Sequence, residues 1–312
     1  MSAPFVRPDV KMILDMLAQA DGPKTSDGTP EEGRAGYLAA RFMLDAEPSE
    51  LAVIKDLSFD GPAGPVPVRY YDARETREAG PAIVFFHGGG FVIGDLETHH
   101  PFCTYLAEQM DLPVIAVDYR LAPEHKFPAA ALDSIAAARW VASSPAELGL
   151  DVTGIITTGD SAGGNLTIVT TQALMREAAD VPVIAQMPIY PVVDSAGEYG
   201  SMTEFSDGYF LTEETMTWFT NHYAVETGNV LHDCLNVDHA GTPPTVLITG
   251  GLDPLRDQGR AYAARLIEAG CEVNYLEAKG NTHAFIQMRK VVPSSQADVD
   301  ALFAALKLAI SP

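Results

Sequence analysis

Cysteine is scarce in this chain, whose 312 residues include only Cys103, Cys234 and Cys271. The number is odd, and no two of these cysteines are spaced like a pair of metal ligands. Small secreted domains that depend on disulfides carry many more cysteines than this. We therefore predict free thiols in a reducing compartment, which favours a cytoplasmic protein. No pair of histidines has the spacing typical of a zinc site either, so we predict no bound metal.

Basic residues are also few, with 20 Lys and Arg against 42 Asp and Glu, a net charge of −22. Nucleic acids and anionic membranes bind through basic patches, so this balance argues against both as partners. No apolar run approaches the ~20 residues that cross a bilayer. The first residues also lack the basic start and apolar core of a signal peptide. The apolar content of 47% is instead typical of a globular protein.

Two amphipathic segments precede the first predicted strand. Residues 9–20 have a helical stripe of apolar side chains. We expect Met12 and Met16 to pack within the cap, and a lining of an acyl pocket by these flexible side chains is the alternative. Residues 29–44 begin with a threonine cap, a proline and two glutamates, which predicts a second helix. Both helices lie outside the strand–helix alternation that follows. We therefore predict that residues 1–47 form an N-terminal cap and not a separate domain.

From residue 48 to 312, short apolar strands alternate with helices after an initial hairpin. This alternation predicts an α/β fold, with a mostly parallel sheet covered by helices on both faces. The predicted strands are residues 51–59, 66–71, 82–86, 113–118, 154–158, 182–188, 245–249 and 272–276. The predicted helices between and after them are residues 100–110, 129–143, 162–177, 258–269 and 296–310.

One segment interrupts this alternation. About 50 residues separate the strand that ends near Pro191 from the strand that begins at Thr245, more than a crossover needs. The segment is rich in aromatic residues, namely Tyr199, Phe205, Tyr209, Phe210, Trp218, Phe219 and Tyr223. An ordinary extra helix packed on the core is one interpretation. We favour a cap insertion at about 195–230 that joins the N-terminal helices and supplies apolar walls to a pocket.

The most informative motif is a G-x-S-x-G pattern centred on Ser161, between a predicted strand and a predicted helix. A serine on such a strand-to-helix turn presents its hydroxyl beyond the end of the sheet. The flanking glycines permit the tight reversal of the chain. The N–H of Ala162, at the start of the helix, faces whatever binds there and suits a developing oxyanion. The pattern predicts a nucleophilic serine.

A nucleophilic serine needs a base, and the base needs an orienting acid, in the chain order serine, acid, histidine. His283 follows the last predicted strand and is our candidate base. The segment 250–257 directly follows the strand 245–249, and Asp253, the acid nearest the strand end, is our candidate acid. Asp257 is the competing acid, but its position is more typical of a helix start.

Three consecutive glycines follow His87 at the end of the strand 82–86. Their backbone N–H groups can face a ligand with no β-carbons in the way. By itself such a segment is a flexible loop. In combination with Ser161, Asp253 and His283 in the required order, it predicts an oxyanion-binding loop.

These motifs together carry a family resemblance. The matching segments are residues 87–91, 118–125, 159–165, 190–191, 253–257 and 282–285. In their order and spacing the chain resembles the bacterial hormone-sensitive-lipase-like (family IV) esterases of the α/β-hydrolase fold. The resemblance implies an eight-stranded sheet with a helical cap, no cofactor, and a small ester as substrate. It implies that Ser161 is the nucleophile, His283 the base and Asp253 its partner, with Gly89, Gly90 and Ala162 as oxyanion donors.

The resemblance also implies a reaction. We expect a serine carboxylesterase that hydrolyses short-chain acyl esters through a covalent acyl-enzyme. Amide or peptide hydrolysis by the same triad is an alternative, as is a non-catalytic small-molecule receptor on the same fold. Family members often form homodimers, and the strand 272–276 is our candidate for the edge that pairs.

Other polar residues receive structural interpretations. Asp160 is expected to be a local hydrogen-bond partner and not an acid catalyst. Arg120, Glu124 and His125 are expected to organise the turn that supports the glycine loop. The histidines at 99–100 are expected to start a helix at the pocket rim.

Overall fold

The computed structural model describes residues 3–19 and 24–311. Its centre is one eight-stranded sheet with the order β1-β2-β4-β3-β5-β6-β7-β8. The strands are β1 Val53–Gly61, β2 Gly64–Asp72, β3 Gly80–Phe86, β4 Val114–Val117, β5 Val152–Asp160, β6 Val183–Ile189, β7 Thr245–Leu252 and β8 Val273–Thr282. Only the pairs β1–β2 and β2–β4 are antiparallel. The predicted mostly parallel, eight-stranded sheet is confirmed.

Helices precede, separate and follow the strands. They are α1 Pro8–Gln19, α2 Pro30–Leu44, α3 His100–Met110, α4 Ala129–Ala142, α5 Ala162–Arg176, α6 Gly200–Glu204, α7 Glu213–Tyr223, α8 Arg256–Glu268 and α9 Ser294–Ala309. Ala20, the last residue of the first predicted helix, and residues 21–23 of the turn after it lie outside the described residues. The predicted positions of the other main helices agree with the structure to within a few residues.

Strand β3 contributes side chains to two apolar cores, one on each face of the sheet. Ile83, Val84, Phe85 and Phe86 are all fully buried. Val84 and Phe86 pack in one apolar cluster with α4, α5 and α8, whereas Ile83 and Phe85 pack in another with α3 and α9. Side chains alternate across a strand, so a continuous apolar run requires helices on both faces. This arrangement places the carboxyl ends of β3, β5, β7 and β8 along one side of the sheet.

The N-terminal region and the aromatic insertion contact each other, and a β-carbon on Gly33 of α2 would lie 3.5 Å from the ring of Trp218 on α7. Thr29 and Glu32 form the capping box that starts α2, and Thr212 caps α7 through its hydroxyl. The ammonium of Lys24 lies 2.8 Å from a carboxylate oxygen of Glu214 on α7. These contacts support a shared cap, while the proposed boundaries 1–47, 48–312 and 195–230 remain predictions.

Three predictions about local structure need correction. Met12 and Met16 are 55% and 62% exposed, so they do not pack inside the cap. The β1–β2 hairpin is tighter than predicted, because Gly61 pairs directly with Gly64. Strand β8 continues to Thr282, where it pairs with the extended end of β7. The sequence did not show this extension, because glycine, asparagine and threonine are typical of turns.

Candidate active site

Ser161 occupies the turn between β5 and α5. Its backbone has φ 57° and ψ −114°, a conformation that a residue with a side chain rarely adopts. A β-carbon on Gly163 would collide with the carbonyl group of Phe86, so the turn lies tightly against the end of β3. The predicted strand–turn–helix arrangement around Ser161 is therefore present. This geometry orients the half-buried serine beyond the carboxyl end of the sheet.

Two side chains from distant parts of the chain meet Ser161. The Nε2 atom of His283 lies 2.9 Å from the Ser161 Oγ, and its Nδ1 lies 2.7 Å from an oxygen of Asp253. Asp253 is fully buried, and its other oxygen accepts the N–H of Leu255 at 2.8 Å. Because β5, β7 and β8 are neighbouring or nearly neighbouring parallel strands, their carboxyl ends bring the three side chains together.

The competing carboxylate does not reach the histidine. Asp257 lies in the first turn of α8, where it pairs with Arg256 at 2.9 Å and with Arg260 at 3.0 Å. It also accepts the N–H of Ser201 at 2.9 Å. Asp257 therefore binds α8 to the inserted segment, and Asp253 is the acid that contacts His283.

The glycine loop follows β3 and has two uncommitted backbone donors. The N–H groups of Gly89 and Gly90 donate to no acceptor among the described residues. The N–H groups of Val92 and Ile93 both donate to the Gly89 carbonyl, at 3.0 and 2.9 Å, which closes the loop. Ala162, at the start of α5, has no acceptor one turn earlier in its helix. These donors are chemically suited to an anion or a developing oxyanion.

The insertion covers this loop. The ring of Phe219 on α7 occupies the space that a β-carbon at Gly90 would need. Phe91 stacks on Tyr223, with ring centroids 4.0 Å apart and an interplanar angle of 9°. Because aromatic side chains bury large areas, these contacts hold α7 against the loop. Aromatic residues of the insertion thus lie directly over the backbone donors of the glycine loop.

The cap is also connected to the loop by an ion pair. Glu124 pairs with Arg34 of α2 at 2.6 Å, and this hydrogen bond lowers the pKa of Glu124 to about 2. The same arginine donates to the carbonyls of Val92 and Ala122, both at 2.9 Å. Glu124 thus supports the glycine loop through the cap.

Arg120 and His125 were also predicted to organise the turn that supports the glycine loop, and their contacts differ from those of Glu124. Arg120 pairs at 2.8 Å with Asp133, which is fully buried on α4. His125 is exposed, and its side chain makes no hydrogen bond within the part of the chain that the structure describes. Arg120 therefore fixes the turn to α4, and the prediction for His125 receives no support.

The histidines at 99–100 start α3, as predicted, but His99 is buried and does not lie at an exposed rim. His99 precedes α3, but it makes no capping bond, and it is only 1% exposed. Its Nε2 lies 3.0 Å from the carboxylate of Asp160. His100 is half-buried and lies 3.2 Å from the hydroxyl of Tyr71. His99 was predicted to lie at the pocket rim, but the fold placed it beside Asp160, behind the glycine loop.

Sequence reasoning did not single out Tyr37 or Gln287, which also contact this buried group. The Gln287 amide lies 3.0 Å from His99, and the Tyr37 hydroxyl donates to Gln287 at 2.5 Å. No motif marks either residue. The nearest signal was that Gln287 lies four residues after His283.

Within residues 3–19 and 24–311, no group of three or more His, Cys, Asp or Glu side chains could hold a metal ion. Cys103, Cys234 and Cys271 are free thiols, as predicted, and the first two are buried. None of the helices in these ranges is both long and apolar enough to cross a bilayer.

Comparison with known proteins establishes the family. Residues 83–287 match a family model described as an α/β hydrolase fold. The chain belongs to the α/β-hydrolase family, in its hormone-sensitive-lipase-like branch, as the motifs predicted. The match begins in β3 and extends to Gln287, so it includes Ser161, Asp253 and His283.

Named relatives are similar over most of the chain. A carboxylesterase, NlhH, from Mycobacterium tuberculosis is 35% identical over 321 residues, covering 99% of both chains. An ethyl acetate hydrolase from Pseudomonas putida is 33% identical over 285 residues, covering 89% of each. Among solved structures, a hyperthermophilic esterase from the archaeon Pyrobaculum calidifontis has a TM-score of 0.91 and 33% identity. The alignment covers 99% of this chain and 100% of the archaeal chain.

Proposed function

We propose that the protein is a serine carboxylesterase that uses Ser161 as nucleophile, His283 as general base and Asp253 as the orienting acid. The observation that carries this proposal is the continuous set of contacts from Asp253 through His283 to the Ser161 hydroxyl, at 2.7 and 2.9 Å. The chain is a carboxylic ester hydrolase by its family and by its named relatives, which are esterases. The residue roles are the part that requires a test.

The proposed reaction begins with proton transfer from the Ser161 hydroxyl to Nε2 of His283. The serine oxygen then attacks the ester carbonyl, and the N–H groups of Gly89, Gly90 and Ala162 stabilise the resulting oxyanion. Collapse of the intermediate releases the alcohol, which takes the proton from His283, and leaves an acyl-enzyme. Water activated by His283 then hydrolyses the acyl-enzyme and restores the serine.

Asp253 contributes orientation and charge to this cycle. Its contact with Nδ1 of His283 favours the tautomer in which Nε2 is free to accept the serine proton. Because Asp253 is fully buried and lies 2.7 Å away, it also stabilises the imidazolium that forms transiently.

We also propose that short-chain acyl esters are the preferred substrates. The contact of Phe219 with Gly90 supports this, because a roof against the donor loop limits the space beside the reacting carbonyl. The relative from Pseudomonas putida is named for ethyl acetate, which is a short ester.

The alternative functions make different predictions. Amide or peptide hydrolysis uses the same triad, so parallel assays on an ester and the corresponding amide separate the two reactions. A small-molecule receptor on this fold would not need the contacts among Ser161, His283 and Asp253. We therefore favour an enzyme over a receptor.

Covalent trapping tests the proposal directly. The protein is incubated with a p-nitrophenyl alkylphosphonate, and the release of p-nitrophenol and the modified peptide are measured. We expect stoichiometric release and an adduct on Ser161 that Ser161→Ala abolishes. Modification elsewhere, or normal ester turnover by Ser161→Ala, would contradict the proposed mechanism.

Two further proposals concern the cellular location and the oligomeric state of the enzyme. A cytoplasmic location agrees with the three free thiols. A homodimer through β8 agrees with the position of that strand at the end of the sheet order. Size-exclusion chromatography with light scattering measures the oligomeric state.

A further inference from the structure

The residue before the nucleophile contacts the glycine loop. An oxygen of Asp160, which is 2% exposed, accepts the Gly88 N–H at 2.8 Å. The next two residues, Gly89 and Gly90, are the proposed oxyanion donors. Glycine loses more conformational freedom on ordering than other residues, so three in a row need an anchor to hold two donors in one geometry. The Asp160 carboxylate provides such an anchor, because it holds Gly88, the residue immediately before the two donors.

Asp160 is ionised in this environment. Burial raises its pKa, but the neighbouring His99 and the hydrogen bonds from His99 and Gly88 more than offset this, so the pKa lies below its ordinary value. A charged acceptor binds an N–H group more strongly than a neutral one. The Gly88 anchor is therefore stronger than an ordinary backbone hydrogen bond.

A series of polar contacts continues from Asp160 to the cap. His99 Nε2 lies 3.0 Å from an oxygen of Asp160, to which it donates, and the amide nitrogen of Gln287 packs 3.0 Å from the same Nε2 without donating to it. The oxygen of that amide accepts the hydroxyl of Tyr37, on cap helix α2, at 2.5 Å. His99 and Gln287 are 1% and 7% exposed. The path crosses from the cap to the base of the glycine loop with no exposed side chain among its inner members.

We propose that Asp160 is a positioning residue for the oxyanion hole, and that His99, Gln287 and Tyr37 couple it to cap helix α2. The inference rests on the proposed esterase mechanism. In this arrangement the position of α2 affects the placement of the Gly89 and Gly90 donors. A shift of the cap therefore changes turnover more than substrate binding.

Substitution of Asp160 tests the first part. We expect Asp160→Ala to lower kcat about 100-fold with KM within about 3-fold, because a misplaced donor is lost mainly in the transition state. Asp160→Asn retains an oxygen for the Gly88 N–H, so we expect only about a 10-fold loss of kcat. If Asp160→Ala does not fold, the same kcat and KM comparison is made with Asp160→Asn.

Asp72→Asn is the matched control, because Asp72 is also buried and accepts the Arg74 N–H at 2.8 Å. It is expected to lower the melting temperature without lowering kcat. Unchanged kcat in the Asp160 variants would overturn the positioning role. An equal loss of kcat in Asp72→Asn at the same loss of stability would overturn it as well.

A double-mutant cycle tests the coupling to the cap. We expect Tyr37→Phe to lower kcat about 3- to 10-fold in the wild-type background and less than about 2-fold in the Asp160→Asn background. Tyr70→Phe is the control, because Tyr70 is a buried tyrosine whose hydroxyl likewise donates to a side-chain oxygen, that of Asp72 at 2.8 Å. Effects of Tyr37→Phe that multiply with those of Asp160→Asn would overturn the coupling, as would an equal effect of Tyr70→Phe.

Ser161→Ala, assayed in parallel, distinguishes failure of this inference from failure of the proposed function. Loss of turnover in Ser161→Ala with unchanged kcat in the Asp160 variants overturns the positioning role alone. Normal turnover in Ser161→Ala overturns the proposed function and, with it, the positioning role.

Discussion

The ring of Phe219 lies directly against the backbone of Gly90, where a β-carbon on that glycine would have to be. Gly90 also has φ of 60°, in the left-handed region. The contact therefore joins a residue of the aromatic insertion to a proposed oxyanion donor. Residue 90 must therefore be glycine in this arrangement, since a side chain there would displace either the ring or the loop.

Gly90→Ala is predicted to impair catalysis severely. The added methyl group collides with Phe219 and is strained at positive φ, so the donor N–H moves. We expect kcat to fall by at least ~100-fold, as for loss of one oxyanion donor, and stability to fall by about 1–2 kcal/mol. Steady-state kinetics and thermal unfolding measure the two effects.

Gly270→Ala is the control for backbone strain, because Gly270 has φ of 77° with nothing within 4 Å of an added β-carbon. We expect a similar loss of stability with normal kcat. Wild-type activity in Gly90→Ala would refute the assignment of this loop.

Phe219→Ala is predicted to change the preference for acyl length. Removal of the ring opens the roof over Gly90, so longer acyl chains gain space. We expect the ratio of kcat/KM for octanoate over acetate esters to rise about 5- to 10-fold, a difference of about 1 kcal/mol in transition-state binding. Phe210→Ala, in the same insertion but 38% exposed, should leave the ratio unchanged. Equal ratios in wild type and Phe219→Ala would argue against the ring as a determinant of length.

Asp253→Asn is predicted to lower kcat about 10³- to 10⁴-fold, because an amide favours the wrong tautomer of His283. Asp257→Asn is the natural comparison, since Asp257 contacts Arg256, Arg260 and Ser201 and not the histidine. We expect it to keep kcat within about 3-fold of wild type, as for a residue outside the site. The reverse order of effects would show that the acid has been assigned wrongly.

Asp118 is predicted to make stability depend on pH. Burial, with a smaller contribution from Asp95, raises the pKa of Asp118 to about 6, above the ~3.9 of an unfolded aspartate. Its contribution to stability is therefore complete below pH ~4 and is lost as pH rises to about 6, since the native state must then hold an unfavourable charge.

Asp118→Asn removes that charge. We expect it to raise stability by ~1–3 kcal/mol at pH 8, a gain of a few degrees in Tm, and to leave stability unchanged at pH 4. Asp60→Asn, at an exposed position, is the control and should have no effect at either pH. Thermal unfolding at the two pH values measures both, and an equal gain at pH 4 would contradict the electrostatic explanation.

The sequence determined the architecture and the order of the site residues. Alternating apolar strands and helices predicted the parallel sheet, since only a sheet covered on both faces buries such strands. The G-x-S-x-G turn, the glycine loop and the positions of Asp253 and His283 after strands predicted which residues meet. These features are local patterns, and the convergence of parallel strand ends follows from the fold class.

Only the tertiary structure decided the environment of the remaining side chains. His99 is buried beside Asp160, 61 positions away in the chain, and Gln287 and Tyr37 connect that pair to the cap. Met12 and Met16 are exposed despite their apolar character. Burial depends on which distant elements pack together, and the local periodicity of a helix identifies an apolar face without showing what covers it.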